Sequence, residues 1–142
     1  MSTPPPGLAA LPIQDAVRAA LLADAPLKAL VTGVLDYVRE REPYPYIQVG
    51  GAIETPDNAH DRHASQTLIT LDIWSQYRGY AQALTIAGRV IQALDHTPLT
   101  ITGHVHRWTR FVSLQTLTDP EPPGDIRHVP MMFRIGTEVD PA

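Results

Sequence analysis

From residue 12 onward apolar side chains return at helical spacing. Ile13, Ala16, Val17, Ala20 and Leu21 draw one stripe, as in a helix that buries a single face. Pro12 suits the first turn, where a missing N–H leaves no bond unmade, and Asp15 favours the positive end of the same helix. Asp24-Ala25-Pro26 breaks it. A second short helix is expected over Pro26–Val31, stopped at Gly33. The period then shortens. Val34–Val38 reads as a short strand and Tyr44–Ala52 as another, entered through Pro43 and Pro45. Prolines there place the strand at an edge or leave its pairing to later residues. Residues 55–64 have no period and read as a long mobile loop. Thr67–Trp74 alternates most cleanly, with Ile69, Leu71 and Ile73 on one face and Leu68, Thr70, Asp72 and Trp74 on the other.

Gly79 opens a longer helix. Its stripe is Tyr80, Ala83, Leu84, Ala87, Ile91 and Leu94, widened by Ile86 and Val90, a breadth that suits a helix lying on a sheet. Asp95-His96-Thr97-Pro98 ends it. Three strands are expected after it, over Leu99–Thr102, His104–Leu117 and Ile126–Val139. In the last, Val129, Met131, Phe133 and Ile135 share a face, and the proline-rich stretch Thr118–Asp125 precedes it. The order α-α-β-β-β-α-β-β-β, with strands often joined directly, predicts an α+β domain: a mostly antiparallel β-sheet with helices packed on one face. Residues 12–139 form that one domain, between a flexible proline-rich N-terminus (1–11) and a short C-terminal tail (140–142).

Composition narrows the function classes. A length of 142 residues fits one domain with one core. The formal net charge is −4 and the arginines are scattered, which argues against a dedicated nucleic-acid binder with its basic face. There is no cysteine, so disulfides, Cys-based zinc sites and thiol nucleophiles are excluded. No apolar run is long enough to span a bilayer, and the N-terminus lacks the pattern of a secretion signal. The chain is expected to be soluble and made in the cytoplasm, with no membrane contact and no cofactor.

Four groups of residues could carry chemistry. His60-Asp61-Arg62-His63 offers two imidazoles and a carboxylate, but Arg62 repels a cation and no further ligand is near in sequence. His104 and His106 fall on one side of a strand, about 7 Å apart, with Asp72 or His128 as conceivable further ligands. Neither set fixes a complete coordination shell. Ser65, Ser75 and Ser113 lie in no nucleophile turn, and Gly50-Gly51 belongs to no phosphate loop. A small metal-dependent hydrolase using His60, His63, His104 or His106 is thus the weaker reading. The aromatic residues Trp74, Tyr77 and Tyr80 suit core or interface, and protein interfaces favour Tyr, Trp and Arg.

The residue order DAVRAALLADAPLKALVTG, then Pro-Tyr-Pro-Tyr-Ile, then TLDIWSQYRGYAQA running into a helix, then HTPLTITGH and finally RHVPMMFRI resembles the phage tail completion (tail terminator) family. That family includes head-to-tail joining proteins of siphophages and of gene transfer agents, and was formerly a domain of unknown function. The resemblance spans about Ile13–Glu138. It departs at the proline-rich N-terminus and at Pro120–Gly124. It implies a virion structural protein, not an enzyme: a hexameric ring that caps the tail tube, stops its polymerisation and joins it to the head connector. The tail tube protein and a head-completion protein would be its partners, and DNA would pass through the lumen without specific binding. The protein would sit at the head–tail junction of a particle assembled in the host cytoplasm. A head-completion adaptor or a tail tube subunit of the same particle is the alternative. The expected interface comprises Asp57, Asn58, His60, Asp61, Arg62 and His63 in the loop, and Trp74, Tyr77, Arg78 and Tyr80 at the strand-to-helix corner.

Overall fold

A computed structural model describes residues 7–59, 62–119 and 125–139. Helix α1 (Ala10–Ala23) and the single turn α2 (Ala25–Lys28) lead into strand β1 (Val34–Leu35). Strands β2 (Tyr46–Pro56) and β3 (Ala64–Ser75) follow, then helix α3 (Ala81–Leu94). Strands β4 (His104–Leu114), β5 (Leu117–Thr118) and β6 (Arg127–Val139) complete the chain. The sheet runs β1-β2-β3-β6-β4, with β5 also on β6. Every pairing is antiparallel except β1 with β2. The α+β architecture expected from the sequence is the one observed.

One face of the sheet is the core. Register sets its layers: Ile47, Ile73 and Val129 lie side by side, as do Val49, Leu71 and Met131, and then Ile69, Phe133 and Phe111. All but the half-buried Phe111 are essentially inaccessible. The helices cover this face with Ile13, Val17 and Leu21 of α1, Leu27 of α2, and Ala83, Ile86, Ala87, Val90 and Leu94 of α3. Three polar contacts position them. Both Glu54 carboxylate oxygens accept the Ala9 N–H and one also accepts the Ala10 N–H, all at 3.0 Å. Helix α1 has no side-chain cap of its own, so β2 supplies the negative charge its first turn favours. Arg18 Nε donates to the Val34 carbonyl at 2.8 Å. Arg89 of α3 holds the Asp24 carboxylate through two 2.7 Å bonds.

Several expected elements are corrected. Helix α1 starts at Ala10, so Asp15 lies beyond its first turn. The α3 stripe is rotated: Leu84 is exposed and Ile91 only half-buried, while the line through Ala83, Ile86, Ala87, Val90 and Leu94 is buried. Val34–Val38 shrinks to two paired residues. Leu99–Thr102 is not a strand. Leu99 and Ile101 are buried, so their alternation reflects core cover by a segment without a ladder. The expected strand His104–Leu117 breaks after Leu114 and resumes as β5. The expected loop over 55–64 is largely a hairpin. Strands β2 and β3 pair as far as Pro56 with Ser65, and the Ala59–Arg62 bridge lies beyond them. Polar residues hid the strands because this end of the sheet outruns the core: β2 is exposed at most positions from Gly51 onward. The proline-rich stretches 1–6 and 120–124, and residues 140–142, lie outside the described residues.

Candidate functional site

The strand-to-helix corner is built by hydrogen bonds at Ser75. Its hydroxyl donates to Gln82 Oε1 at 2.6 Å and accepts the Tyr77 N–H at 3.2 Å. Gly79 turns the chain at φ +80°, a conformation glycine adopts without strain. The four aromatic and cationic residues expected here divide into two kinds. The Trp74 indole stacks on the His128 ring, with centroids 4.0 Å apart and planes 4° from parallel. Tyr80 hydrogen-bonds Thr118 and lies under the Arg127 guanidinium. Both are half-buried and held by contacts within the chain. Tyr77 is 54% exposed, and the Arg78 side chain is exposed, 3.9 Å from Asp125. Tyr77 and Leu30 border a shallow groove of about 430 Å³ floored by Ala81, Thr85 and Ile86. Tyr77 and Arg78 are therefore the two of the four that stay exposed.

The hairpin residues are more occupied than a solvated loop would leave them. Asp57 accepts from Gln66 at 3.1 Å, and Arg107 lies 3.9 Å from it. Asn58 Oδ1 accepts the Ala64 N–H at 3.1 Å. Arg62 and Arg107 converge on Glu138, at 2.9 and 3.3 Å. His63 borders a cavity of about 320 Å³ with Leu8, Glu54, Ser65, His104 and Thr137. His60 and Asp61 lie outside the described residues. The bonds make the hairpin base a braced projection.

Among the described residues, His63 and His104 border one cavity, but the histidines do not assemble into a metal site. His104 Nδ1 meets the Thr102 carbonyl at 3.1 Å, and His106 Nε2 meets Thr109 Oγ1 at 2.6 Å. Burial holds the His106 imidazole below its usual pKa of 6.5. His128 instead pairs with Asp72 at 2.6 Å. Register puts His106 opposite Thr137 and His128 opposite Trp74, so the two groups are roughly 30 Å apart along β6. No group of three His, Asp or Glu able to hold a metal exists among the described residues. In the cavity, Ser65 Oγ is bonded to Thr137 Oγ1 at 3.1 Å, and Glu54 is committed to α1.

The helix-free face of the sheet escaped sequence reasoning. It carries the cross-strand row Ile53–Leu68–Arg134–Arg110, with Trp108 lying over Gly136 beside it. The signal was present in the second face of β6, where Pro130, Met132 and Arg134 alternate with the core residues. The sheet flanks also differ. Beyond Gln48, β2 has no outer neighbour among the described residues. The outer flank of β4 is blunted at its middle, where Thr109 O accepts the His96 N–H at 2.9 Å and Phe111 N–H donates to Asp95 at 2.8 Å.

Comparison with known proteins gives a consistent result. The family model described as tail completion protein gp17 matches residues 15–138. The tail completion protein gp17 of Bacillus phage SPP1 is 27% identical over 114 residues, covering 80% of this chain and 84% of that protein. The fold is shared with a chain in the virion of a native gene transfer agent particle, at TM-score 0.80 and 24% identity, over 94% of this chain and 99% of that one. It is shared also with the solved bacteriophage SPP1 gp17 protein, at TM-score 0.60 and 24% identity, over 96% and 98% of the two chains.

Proposed function

This chain belongs to the tail completion protein gp17 family, a structural protein of phage-like virions and not an enzyme, and from that membership we propose that it closes the head-proximal end of a tail as a ring of identical copies. The ring is a hexamer that caps the tube, halts its polymerisation and docks the head-completion protein, at a junction assembled in the host cytoplasm. DNA passes through its lumen without sequence-specific contact.

The observation that carries the reading is the inequality of the two sides of the sheet. An open β2 flank lies on one side, and a β4 flank blunted by Asp95 and His96 on the other. A twofold dimer joins like to like. Unlike sides join head to tail, and such contacts close into a ring when the rotation allows. Tyr77 and Arg78 project at the end of the sheet where the strands hand over to α3, a position suited to the neighbouring layer of the particle. Edge strands with free backbone groups seek partners, which the second copy supplies.

Removing the chain from particle-producing cells tests this. Tube growth should then lose its stop, giving tails of irregular length and heads without tails in electron micrographs. A tagged copy should label the head–tail junction. Normal joined tails in the absence of the chain, or label elsewhere on the particle, would overturn the reading.

A further inference from the structure

Arg110 and Arg134 face each other directly across β4 and β6 on the helix-free side, and both are exposed. Like charges in that relation repel. Four other arginines have carboxylate partners, Arg62 at 2.9 Å, Arg78 at 3.9 Å, Arg89 at 2.7 Å and Arg107 at 3.3 Å, and Arg18 has the Val34 carbonyl. Arg110 has only the Trp108 ring, 5.2 Å from its guanidinium carbon, and Arg134 has no carboxylate partner among the described residues. The row continues into Leu68 and Ile53, the latter 65% exposed. A cationic pair beside exposed aliphatic and indole surface is poorly suited to water alone. It suits a protein partner that brings carboxylates together with an apolar group.

The same chain carries the complement. Among the described residues, the carboxylates with neither a hydrogen bond nor an ion pair are Asp15, Asp36, Glu40 and Glu42. Three of the four lie in one short segment, between β1 and β2. Tyr37, 75% exposed, sits within it. Strand β1 runs parallel to β2, so it delivers Asp36 and Tyr37 in the direction β2 takes, toward the level of the Ile53 row. The segment lies at the β1 edge and the arginines at the β4 edge, on opposite sides of the sheet. No chain can therefore satisfy its own pair, but a second copy placed head to tail can.

We propose that Asp36, Tyr37 and Glu40 of one copy dock on the Arg110–Arg134 pair of the next, the carboxylates neutralising the guanidinium groups and the tyrosine ring covering the Ile53–Leu68 surface. This rests on the ring reading and adds its contact residues. Arg39 and Arg41 lie in the same segment, so the match is positional, not a matter of net charge.

Charge reversal tests it in the full-length chain. Arg110→Glu with Arg134→Glu, or Asp36→Arg with Glu40→Arg, should each weaken self-association about tenfold or more. Mixing the two reversed proteins should restore it. Since all four residues are exposed, circular dichroism should show an unchanged fold. The chain has no cysteine, so Tyr37→Cys with Leu68→Cys, the pair the docking brings together, provides a clean trap. On oxidation of assembled particles, neighbouring copies should link into a ladder that ends at the closed ring. Copies that associate normally despite both reversals, without cross-linking through this pair, overturn the docking assignment and leave the ring standing. Copies that never associate, free or in particles, overturn both.

Discussion

Gly136 fixes how the far end of the sheet is covered. A Cβ built there would lie 2.5–2.8 Å from three atoms of the Trp108 indole, so the ring rests directly on bare backbone. β6 is a long central strand, and a glycine inside it weakens the ladder unless a close approach requires it. Gly136→Ala should cost about 1–3 kcal/mol, the usual penalty for forcing a well-packed side chain aside, read as a shift in the denaturant midpoint at unchanged slope. Combining it with Trp108→Leu should be less damaging than the sum of the two, because they share one contact. Gly50 follows the same logic, its hypothetical Cβ 2.7 Å from Asp72 Oδ2. Neither need was visible in the sequence. Gly136 there is a blemish in an alternating strand, and Trp108 is 28 positions away.

At the scale of elements, the helical layer is tied by Arg89 of α3 and Asp24 at the α1–α2 junction. The Arg89 guanidinium holds the Asp24 carboxyl below its usual 3.8. A carboxylate depressed in the folded state contributes stability that is present above the unfolded value and lost as pH falls through the folded one. Asp24→Asn should therefore lower the melting temperature at neutral pH. The gap to the parent protein should narrow as pH is taken below 3.8, which thermal melts across pH would show.

The elements differ in how openly the sequence announced them, for physical reasons. β3 was plain because one face is core from Ile69 to Ile73. The hairpin tip was hidden because beyond the core the alternation loses its apolar half, leaving Asp57, Asn58 and Arg62. Leu99 and Ile101 misled because burial without a ladder has the same pattern as burial with one. At the corner, Trp74 and Tyr80 could not be told from Tyr77 by residue type. What divides them is whether His128 and Thr118, distant in sequence, come within reach.

As a whole the molecule is asymmetric in two directions. Across the sheet, one face is sealed by three helices and the other is left to side chains shielding one another. Along the strand order, among the described residues, one flank is open beyond Gln48 and the opposite one is blunted by the turn that ends α3. The buried core follows from hydrophobic periodicity, and that half was readable in advance. The flanks and the bare face follow from which strands are neighbours, and pairing order leaves little trace in a single sequence.

The open flank of β2 has a practical consequence. Backbone that waits for one extended segment accepts any extended segment of compatible register, and a free one need carry no further binding surface. A short synthetic copy of Val105–Leu114 should therefore act as a poison. If copies close into the proposed ring through this flank, it would occupy the vacancy, offer nothing to the next copy, and leave arcs in place of closed circles. Its potency should fall when prolines are set at alternate positions, and electron micrographs of particles formed with and without it would show the effect.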